Sequence, residues 1–249
     1  MQSPFLDKDI VAELLTESRK KCGNACNGSG YHVTEGAIVD CECIVEFKRL
    51  TRIAGANIPK KHRDFSFSML SEKFCSENER MLQVLEAYSS KLPRMVENGV
   101  GLYIQGQVGL AKSALSYTIL QTAVMLGITA YATRMSKITT LTFSAFSDPV
   151  AKEQLQWILN DVQLLFIDEI EKDFKVGNAQ EFSGSRVNEF FSEVYDSKKS
   201  IIITSNMSKA DLRKVHADNV VDRFQELADI VLVGESFRRP NTAIQEILS

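Results

Sequence analysis

The sequence of 249 residues lacks an uninterrupted apolar run of the roughly 18 residues that a membrane-spanning helix needs. Its first residues, MQSPFLDKDIVAELL, carry acidic side chains where a secretory signal would have a basic region and a longer apolar segment. Internal repeats and low-complexity tracts are also absent. We therefore expect a globular, cytoplasmic protein with no membrane partner.

An excess of one charge is lacking too, since 29 lysines and arginines face 32 aspartates and glutamates and the formal net charge is −3. This balance argues against a wholly basic nucleic-acid coat protein, although it leaves room for a local basic surface. Five cysteines in a chain without an export signal are not expected to form a disulfide framework, because the cytosol keeps thiols reduced.

What the sequence does contain, from residue 100 onward, is an alternation of short apolar runs with longer helical patterns. Helices are predicted from Lys112, twice between the second and third strands, and around 185–197. The alternation predicts an α/β fold, in which a parallel sheet lies between helices. The predicted strands are GLYIQ, ITAYA, QLLFID, SIIITSN and ADIVLV.

The N-terminal part has a different pattern. Residues 5–20 place apolar side chains on one helical face and predict a short amphipathic helix. The basic stretch FKRLTRIAGANIPKKHR has a composition typical of a connector and precedes a predicted helix at 76–90. We therefore predict two domains, an N-terminal module of residues 1–64 and an α/β core of residues 65–249.

Four of the five cysteines lie in a glycine-rich stretch with too few apolar residues for a core of its own. Cys22 and Cys26 form a C-x3-C pair, and Cys41 and Cys43 form a C-x-C pair. Two such pairs can converge on a tetrahedral Zn²⁺, whose binding would supply the folding energy of a small module. His32 could replace one sulfur, and four unrelated thiols remain the alternative. The fifth cysteine, at position 75, is expected to be a buried or free thiol.

The segment GQVGLAKS has the pattern of a phosphate-binding loop between a predicted strand and a predicted helix, with a chance glycine-rich turn as the alternative. Its glycines let backbone N–H groups face a phosphate at a helix N-terminus. Lys112 would reach the β and γ phosphates, and the Ser113 hydroxyl would bind Mg²⁺. The predicted ATP-binding residues are Gly106, Gln107, Val108, Gly109, Leu110, Ala111, Lys112, Ser113 and, on a later strand, Asp168.

Polar residues follow two further strands. In LLFIDEI, Asp168 lies at the carboxyl end of a predicted strand and can hold Mg²⁺, while Glu169 would polarise the attacking water. The alternative is a buried strand that ends in a solvated acidic turn. In SIIITSN, the Asn206 amide can orient that water, although strands often end in Asn only to begin a turn. Arg223 and Arg238 are candidates for clamping phosphate charge, and Arg239 is the alternative to Arg238.

Together these residues resemble an AAA+ ATPase with little or no C-terminal lid. The resemblance implies Walker A at 106–113, Walker B at Asp168 and Glu169, sensor 1 at Asn206, an arginine finger at Arg223 and sensor 2 at Arg238. Three segments, IIITSNMS, DRF and GESFRR, narrow the resemblance to one group of AAA+ proteins. This group contains the helicase loaders DnaC and DnaI and the transposition ATPase IstB. The cysteine stretch, with CNGSGY and CEC, resembles the N-terminal part of DnaI-like and phage-encoded loaders.

Ala111 stands where a phosphate loop is expected to have glycine. Its methyl group could crowd a phosphate or penalise a backbone angle that glycine accepts freely. The MCM helicases, which are also AAA+ ATPases, have a similar AKS ending. Because Lys112, Ser113, Asp168 and Glu169 all remain, we expect an active but slow ATPase, with nucleotide binding without hydrolysis as the alternative.

The resemblance implies an ATP-dependent loader that binds a hexameric replicative DNA helicase and single-stranded DNA during replication initiation, and forms a homo-oligomer through Arg223. Its cofactors would be ATP, Mg²⁺ and Zn²⁺. The alternatives are an IstB-like transposition ATPase that binds duplex DNA and a transposase, and a zinc-containing interaction protein with a vestigial ATP site. Candidate DNA contacts are Arg134, Lys137, Lys172 and Lys175.

Overall fold

The computed structural model describes residues 4–23, 25–34, 36–172, 181–215 and 218–237. The N-terminal part consists of helix α1 (Lys8–Arg19), an antiparallel hairpin of strands β1 (Tyr31–Thr34) and β2 (Ala37–Asp40), and helix α2 (Glu42–Gly55). The Asp7 carboxylate caps α1 by accepting a hydrogen bond from the Asp9 N–H at 2.7 Å. Helix α1 confirms the predicted amphipathic helix.

Helix α2 corrects the interpretation of the basic stretch as a connector. Leu50 and Ile53 are buried on one side of this helix, whereas Lys48 and Arg52 are exposed on the other. The stretch is therefore amphipathic, and its basic residues are the solvated face of a helix. The linking part of the stretch begins after Gly55, and α2 itself contacts the core through Ile53.

The core is a five-stranded sheet in which all neighbouring strands are parallel. Its strand order is β4-β5-β6-β3-β7, so that β3 lies inside the sheet although it comes first in the core sequence. All five predicted strands are confirmed. Their bounds are β3 (Leu102–Gln105), β4 (Ala130–Arg134), β5 (Leu164–Asp168), β6 (Ser200–Ser205) and β7 (Ala228–Val231).

The side chains of β3, β4, β5 and β6 alternate between two apolar cores, one on each face of the sheet, whereas Ile230 is the one buried residue of the edge strand β7. In β6, Ile202 joins the first core, while Ile201 and Ile203 join the second. Helices α3 (Glu72–Ser90) and α5 (Lys112–Met125) pack in the first core. The second core receives α6 (Met135–Ser144), α7 (Pro149–Asn160), α8 (Glu181–Asp196), α9 (Lys209–Val215) and α10 (Asp218–Arg223), and the short α4 (Leu92–Glu97) precedes β3.

Among the helices of the described residues, none is both long and apolar enough to cross a membrane.

Helix α5 is apolar around most of its circumference because it is covered on two sides. Leu115 and Ile119 are completely buried in the first core. On its other side, Thr118 donates a hydrogen bond to the Phe65 carbonyl at 3.3 Å, and Gln121 donates to the His62 carbonyl at 2.9 Å. The segment between α2 and α3 therefore lies over α5 and encloses it.

The N-terminal part also contacts the edge strand β4. The Ala132 N–H donates to the Ala56 carbonyl at 2.9 Å, and the Asn57 amide donates to the Ala132 carbonyl at 2.8 Å. Ile53 and Ile58 are buried in the first core. These contacts cover part of an otherwise open sheet edge. Packing against the core thus begins before residue 65, and the division at 64 stays a prediction.

Candidate functional site

The predicted phosphate loop joins β3 to α5, and its two glycines are held in conformations that glycine accepts readily. Gly106 has a φ of 156°, and a Cβ there would lie 2.6 Å from the Leu232 carbonyl oxygen. Gly109 has a φ of 90°, and a Cβ there would collide with the Ser236 side chain. Both glycines are therefore needed for the backbone turn and for close contact with the segment after β7.

Ala111 occupies the position at which the loop enters α5, with φ 56° and ψ 12°. This is the left-handed region, which costs an L-residue roughly 1–2 kcal/mol relative to the right-handed helix. The expected backbone penalty is therefore present. The Ala111 side chain packs against the first core beside the buried Leu110, whereas Val108 is exposed.

Lys112 lies at the first position of α5, and its ammonium group is held by the loop that precedes it. Its Nζ donates to the carbonyls of Gly106 at 2.7 Å and Gln107 at 2.8 Å, and to the Asn206 amide oxygen at 2.8 Å. The side chain is buried, so its charge depends on these oxygens. Lys112 thus connects the end of β3 to the end of β6.

Asp168 is the last residue of β5, and one of its carboxylate oxygens accepts hydrogen bonds from two hydroxyl groups. Oδ1 accepts hydrogen bonds from Ser113 at 2.8 Å and from Thr204 at 2.5 Å, and the side chain is buried. A carboxylate beside a serine hydroxyl is the set of hard oxygen ligands that suits Mg²⁺. The two predicted magnesium ligands are therefore in direct contact.

Glu169 has a different partner for its carboxylate. Its backbone lies in the left-handed region at φ 57°, and its N–H donates to the Thr204 hydroxyl at 3.2 Å. Its carboxylate forms an ion pair with Lys172 at 2.7 Å. Lys172, a candidate DNA contact, is thus bound to the candidate catalytic base.

A third acid, Glu171, was missed in the sequence motifs. Its carboxylate accepts hydrogen bonds from the Ser205 hydroxyl at 3.0 Å, the Asn206 side-chain amide at 2.5 Å and the Asn206 backbone N–H at 3.3 Å. The run of acids in IDEIE was the available signal. Nothing in the local pattern relates this acid to the end of β6, which follows much later in the chain.

Residues 108–113 of the loop, the three acids and Asn206 line one cavity of about 640 Å³ at the carboxyl edge of the sheet, large enough for a nucleotide, whereas Gly106 and Gln107 line a smaller neighbouring cavity. One wall comes from the segment before α3, where the His62 ring stacks on Tyr117 with centroids 4.7 Å apart. Burial is the main cause that lowers the pKa of His62 below its usual value, which favours the neutral ring. This wall was missed because its residues are distant in sequence from the loop. Its described members are Lys61, His62, Phe65, Met69 and Leu70.

The segment after β7 closes over the phosphate loop. The Phe237 N–H donates to the Gly109 carbonyl at 2.9 Å, and the Phe237 ring packs edge-on against Phe74 with centroids 4.9 Å apart. Asn78 holds the same segment by exchanging two hydrogen bonds with the Val233 backbone. The predicted sensor residue Arg238, its alternative Arg239 and the DNA candidate Lys175 lie outside the described residues.

Arg223 ends α10 and is not among the described residues that line the nucleotide cavity. Its guanidinium donates to the Ser192 hydroxyl at 2.5 Å and lies over the Tyr195 ring, 5.4 Å from the centroid. It lines a separate cavity of about 580 Å³. Arg134 and Lys137, two other candidate DNA contacts, are exposed at the end of β4 and on α6.

The four N-terminal cysteines converge as predicted, and all four Sγ atoms lie within 4.8 Å of one another. Cys26 Sγ lies 3.8 Å from Cys22 Sγ and 3.5 Å from Cys43 Sγ. Four sulfurs placed tetrahedrally around zinc would be about 3.8 Å apart, so the cluster fits this metal. Cys26, Cys41 and Cys43 are buried.

The surroundings of the cluster favour a thiolate at Cys26 but not at Cys43, where burial raises the pKa to about 12. A backbone hydrogen bond from Gly30 is the main cause that lowers the pKa of Cys26 to about 6, and metal binding requires the deprotonated form. His32 lies on β1 outside the cluster. Cys75 is half-buried in α3 and packs against the first core, as expected of a thiol that is not a ligand.

No family model and no curated protein matches this sequence. Solved structures do match. The DnaC helicase loader is 19% identical with a TM-score of 0.53, over 66% of this chain and 100% of that chain. DnaI is 16% identical with a TM-score of 0.57, over 73% of this chain and 94% of that chain. The replication initiator DnaA, bound to AMPPCP and single-stranded DNA, is 17% identical with a TM-score of 0.56, over 72% of this chain and 51% of that chain.

These similarities define the class of the fold. The chain has an AAA+ P-loop fold, with a five-stranded parallel sheet between helices. Within that class the fold is similar to those of the DnaC and DnaI structures, and a cluster of four cysteines suited to zinc accompanies the core.

Proposed function

We propose that this chain is an ATP-dependent loader that binds a hexameric replicative DNA helicase and single-stranded DNA during replication initiation. The observation that carries the proposal is the meeting of Lys112, Ser113 and Asp168 in one cavity of an AAA+ fold. The similarity to a DnaC helicase loader and to DnaI supports the loader, and the AMPPCP in the DnaA structure supports the nucleotide.

ATP would bind with its phosphates against the loop of residues 106–113. Lys112 would exchange the loop carbonyls that it now contacts for the β and γ phosphates. Ser113 and Asp168 would hold Mg²⁺, which neutralises charge on the phosphates when it is bound. The wall around His62 would then face the remainder of the nucleotide.

Hydrolysis would use the two side chains beside this site. The Glu169 carboxylate would separate from Lys172 and act as the base for the attacking water. Asn206 would orient that water. Slow turnover is expected because Ala111 places a methyl group and a left-handed backbone in the phosphate loop, where glycine would be unstrained.

Assembly would depend on Arg223. Its position away from the cavity of its own chain supports a role at the ATP of a neighbouring copy in a homo-oligomer. Arg238 would act as sensor 2 in its own chain. The main role of ATP would then be to control assembly of the homo-oligomer, and driving movement would be a lesser role.

The N-terminal module, with Zn²⁺ bound by Cys22, Cys26, Cys41 and Cys43, would dock on the helicase. Its presence favours a loader over an IstB-like transposition ATPase. Single-stranded DNA would contact Arg134 and Lys137, which are exposed, by charge attraction to its phosphates.

Steady-state ATP hydrolysis tests the enzyme. Glu169→Gln should lower kcat by about 10²-fold or more while leaving ATP binding intact, because the base is lost and the phosphate contacts remain. Glu153→Gln, an exposed acid on α7, is the matched control and should not change turnover. Turnover that is absent even with DNA and partner present would support the vestigial-site alternative and contradict the ATPase.

Partner capture from the lysate of the native host, with ATP and with ADP, tests the loader. Mass spectrometry should identify the hexameric replicative helicase, and Cys41→Ser with Cys43→Ser should abolish its recovery. Recovery of a transposase without the helicase would replace the loader by the IstB-like function.

A further inference from the structure

The turn after β5 carries a glutamate that none of the ATPase roles above uses. Glu171 is partly buried and lines the nucleotide cavity. Its two oxygens accept three hydrogen bonds, all from Ser205 and Asn206. Both oxygens therefore face the end of β6, and the carboxylate already has protein donors on each of them.

These bonds fix the orientation of the Asn206 amide. A carboxylate can only accept hydrogen bonds, so the Asn206 NH₂ group must face Glu171. The amide oxygen then faces the Lys112 ammonium at 2.8 Å. A hydrogen bond to a charged acceptor is about twice as strong as one between neutral groups, so this orientation is strongly preferred.

The same contacts join the ends of three neighbouring strands. Glu171 follows β5, Asn206 follows β6, and the Ser205 carbonyl accepts a hydrogen bond from the Gly106 N–H after β3. The end of β6 therefore lies between Glu171 and the phosphate loop. Asp168 and Glu169 take no part in the three bonds that Glu171 accepts.

We propose that Glu171 is a positioning residue for ATP hydrolysis, which holds the Asn206 amide between itself and Lys112 so that it is aimed into the nucleotide cavity. This proposal rests on the proposed function, because it assigns Asn206 to the reacting water. Glu171 acts through Asn206 and neither takes a proton from the water nor binds the metal.

A double-mutant cycle in the full-length protein tests the proposal. Glu171→Ala should lower kcat about tenfold or more, while the Kd for a fluorescent ATP analogue changes less than about threefold. Glu171→Gln keeps an acceptor for the Asn206 N–H groups and should restore most of kcat. In an Asn206→Ala background, Glu171→Ala should have almost no further effect, because the group that it positions is gone. Glu153→Ala is the control for loss of an exposed acid.

Two kinetic outcomes would overturn the proposal. If Glu171→Ala lowers kcat by the same factor with and without Asn206, the carboxylate acts independently of the amide. If Glu171→Gln is as impaired as Glu171→Ala, the negative charge itself is required, as for a base or a metal ligand.

A second measurement separates this proposal from the function on which it rests. The side-chain amide signal of Asn206 in an NMR spectrum, assigned by its loss in Asn206→Ala, needs no turnover. It should shift in Glu171→Ala and stay near its original position in Glu171→Gln. An unchanged signal in Glu171→Ala would contradict the positioning role even in an active enzyme. If the signal shifts in Glu171→Ala but the unmodified protein does not hydrolyse ATP, the contact between Glu171 and Asn206 is established and the proposed ATPase activity is contradicted.

Discussion

The cysteine module and the nucleotide core are stabilised in opposite ways. Every residue of β5 is buried, and its apolar side chains fill the cores on both faces of the sheet. The hairpin of β1 and β2 has no such support, since Val33 and Ile38 are register partners and each is 77% exposed. Among the described residues of 22–43, which form the cysteine module, the buried side chains are those of Cys26, Cys41 and Cys43.

The difference shows how each part of the sequence specifies its structure. The core depends on the burial of apolar surface, which contributes about 25 cal/mol for each Å² removed from water. The module depends on a few ligand atoms, because a segment this small buries too little to fold unaided. Variants that perturb one region should therefore leave the other in place.

The largest effect is expected from loss of the metal ligands. Cys41→Ser with Cys43→Ser removes half of the cluster, and structural zinc sites contribute on the order of 10 kcal/mol to folding. Zinc content, measured by atomic absorption, should fall from one ion per chain to none, and the hairpin should lose its ordered NMR signals. Cys75→Ser is the control and should retain zinc.

The midpoint of core unfolding should hardly change in the same double variant. A core that unfolds together with the module would contradict the separation of the two regions.

A smaller effect is expected from a cavity in the core. Phe166 in β5 is completely buried, so Phe166→Ala should lower the free energy of unfolding by about 3–5 kcal/mol. Val33→Ala removes an exposed side chain from the hairpin and should cost no more than about 0.5 kcal/mol. Urea unfolding, followed by circular dichroism, measures both. Equal losses in the two variants would mean that the hairpin is buried by an unrecognised contact.

The smallest effect is expected at the phosphate loop. Ala111→Gly relieves the left-handed backbone but adds entropy to the unfolded chain, so the free energy of unfolding should rise by no more than about 1 kcal/mol. Ala111→Val, which puts a branched side chain at the same backbone angle, should lower it instead. Thermal unfolding of the two variants gives the comparison. A clear loss of stability in Ala111→Gly would contradict the left-handed conformation.

The sequence was most informative where the physical cause is local. The strands were predictable from runs such as IIIT in β6, and the phosphate loop from the spacing of Gly106, Gly109 and Lys112. The cysteine spacing was sufficient to predict that the four sulfurs converge. Each of these signals lies within a short stretch of chain.

The rest of the site depends on contacts between distant parts of the chain. Glu171 is 35 residues from Asn206, and His62 is 59 residues from the Gln121 side chain that binds its carbonyl. Helix α2 was missed because its basic face dominates the composition of the stretch. Such contacts follow from the order of strands in the sheet, which periodicity does not specify.

Hydrogen exchange of the 249-residue protein, with and without a zinc chelator and with and without ATP, measures whether the metal module and the nucleotide site are independent. The chelator should expose the amides of β1 and β2 while β3, β5 and β6 stay protected. ATP should protect residues 106–113 in both conditions. Loss of protection throughout the core on chelation, or no protection of the loop by ATP, would contradict an independent metal module beside a nucleotide site.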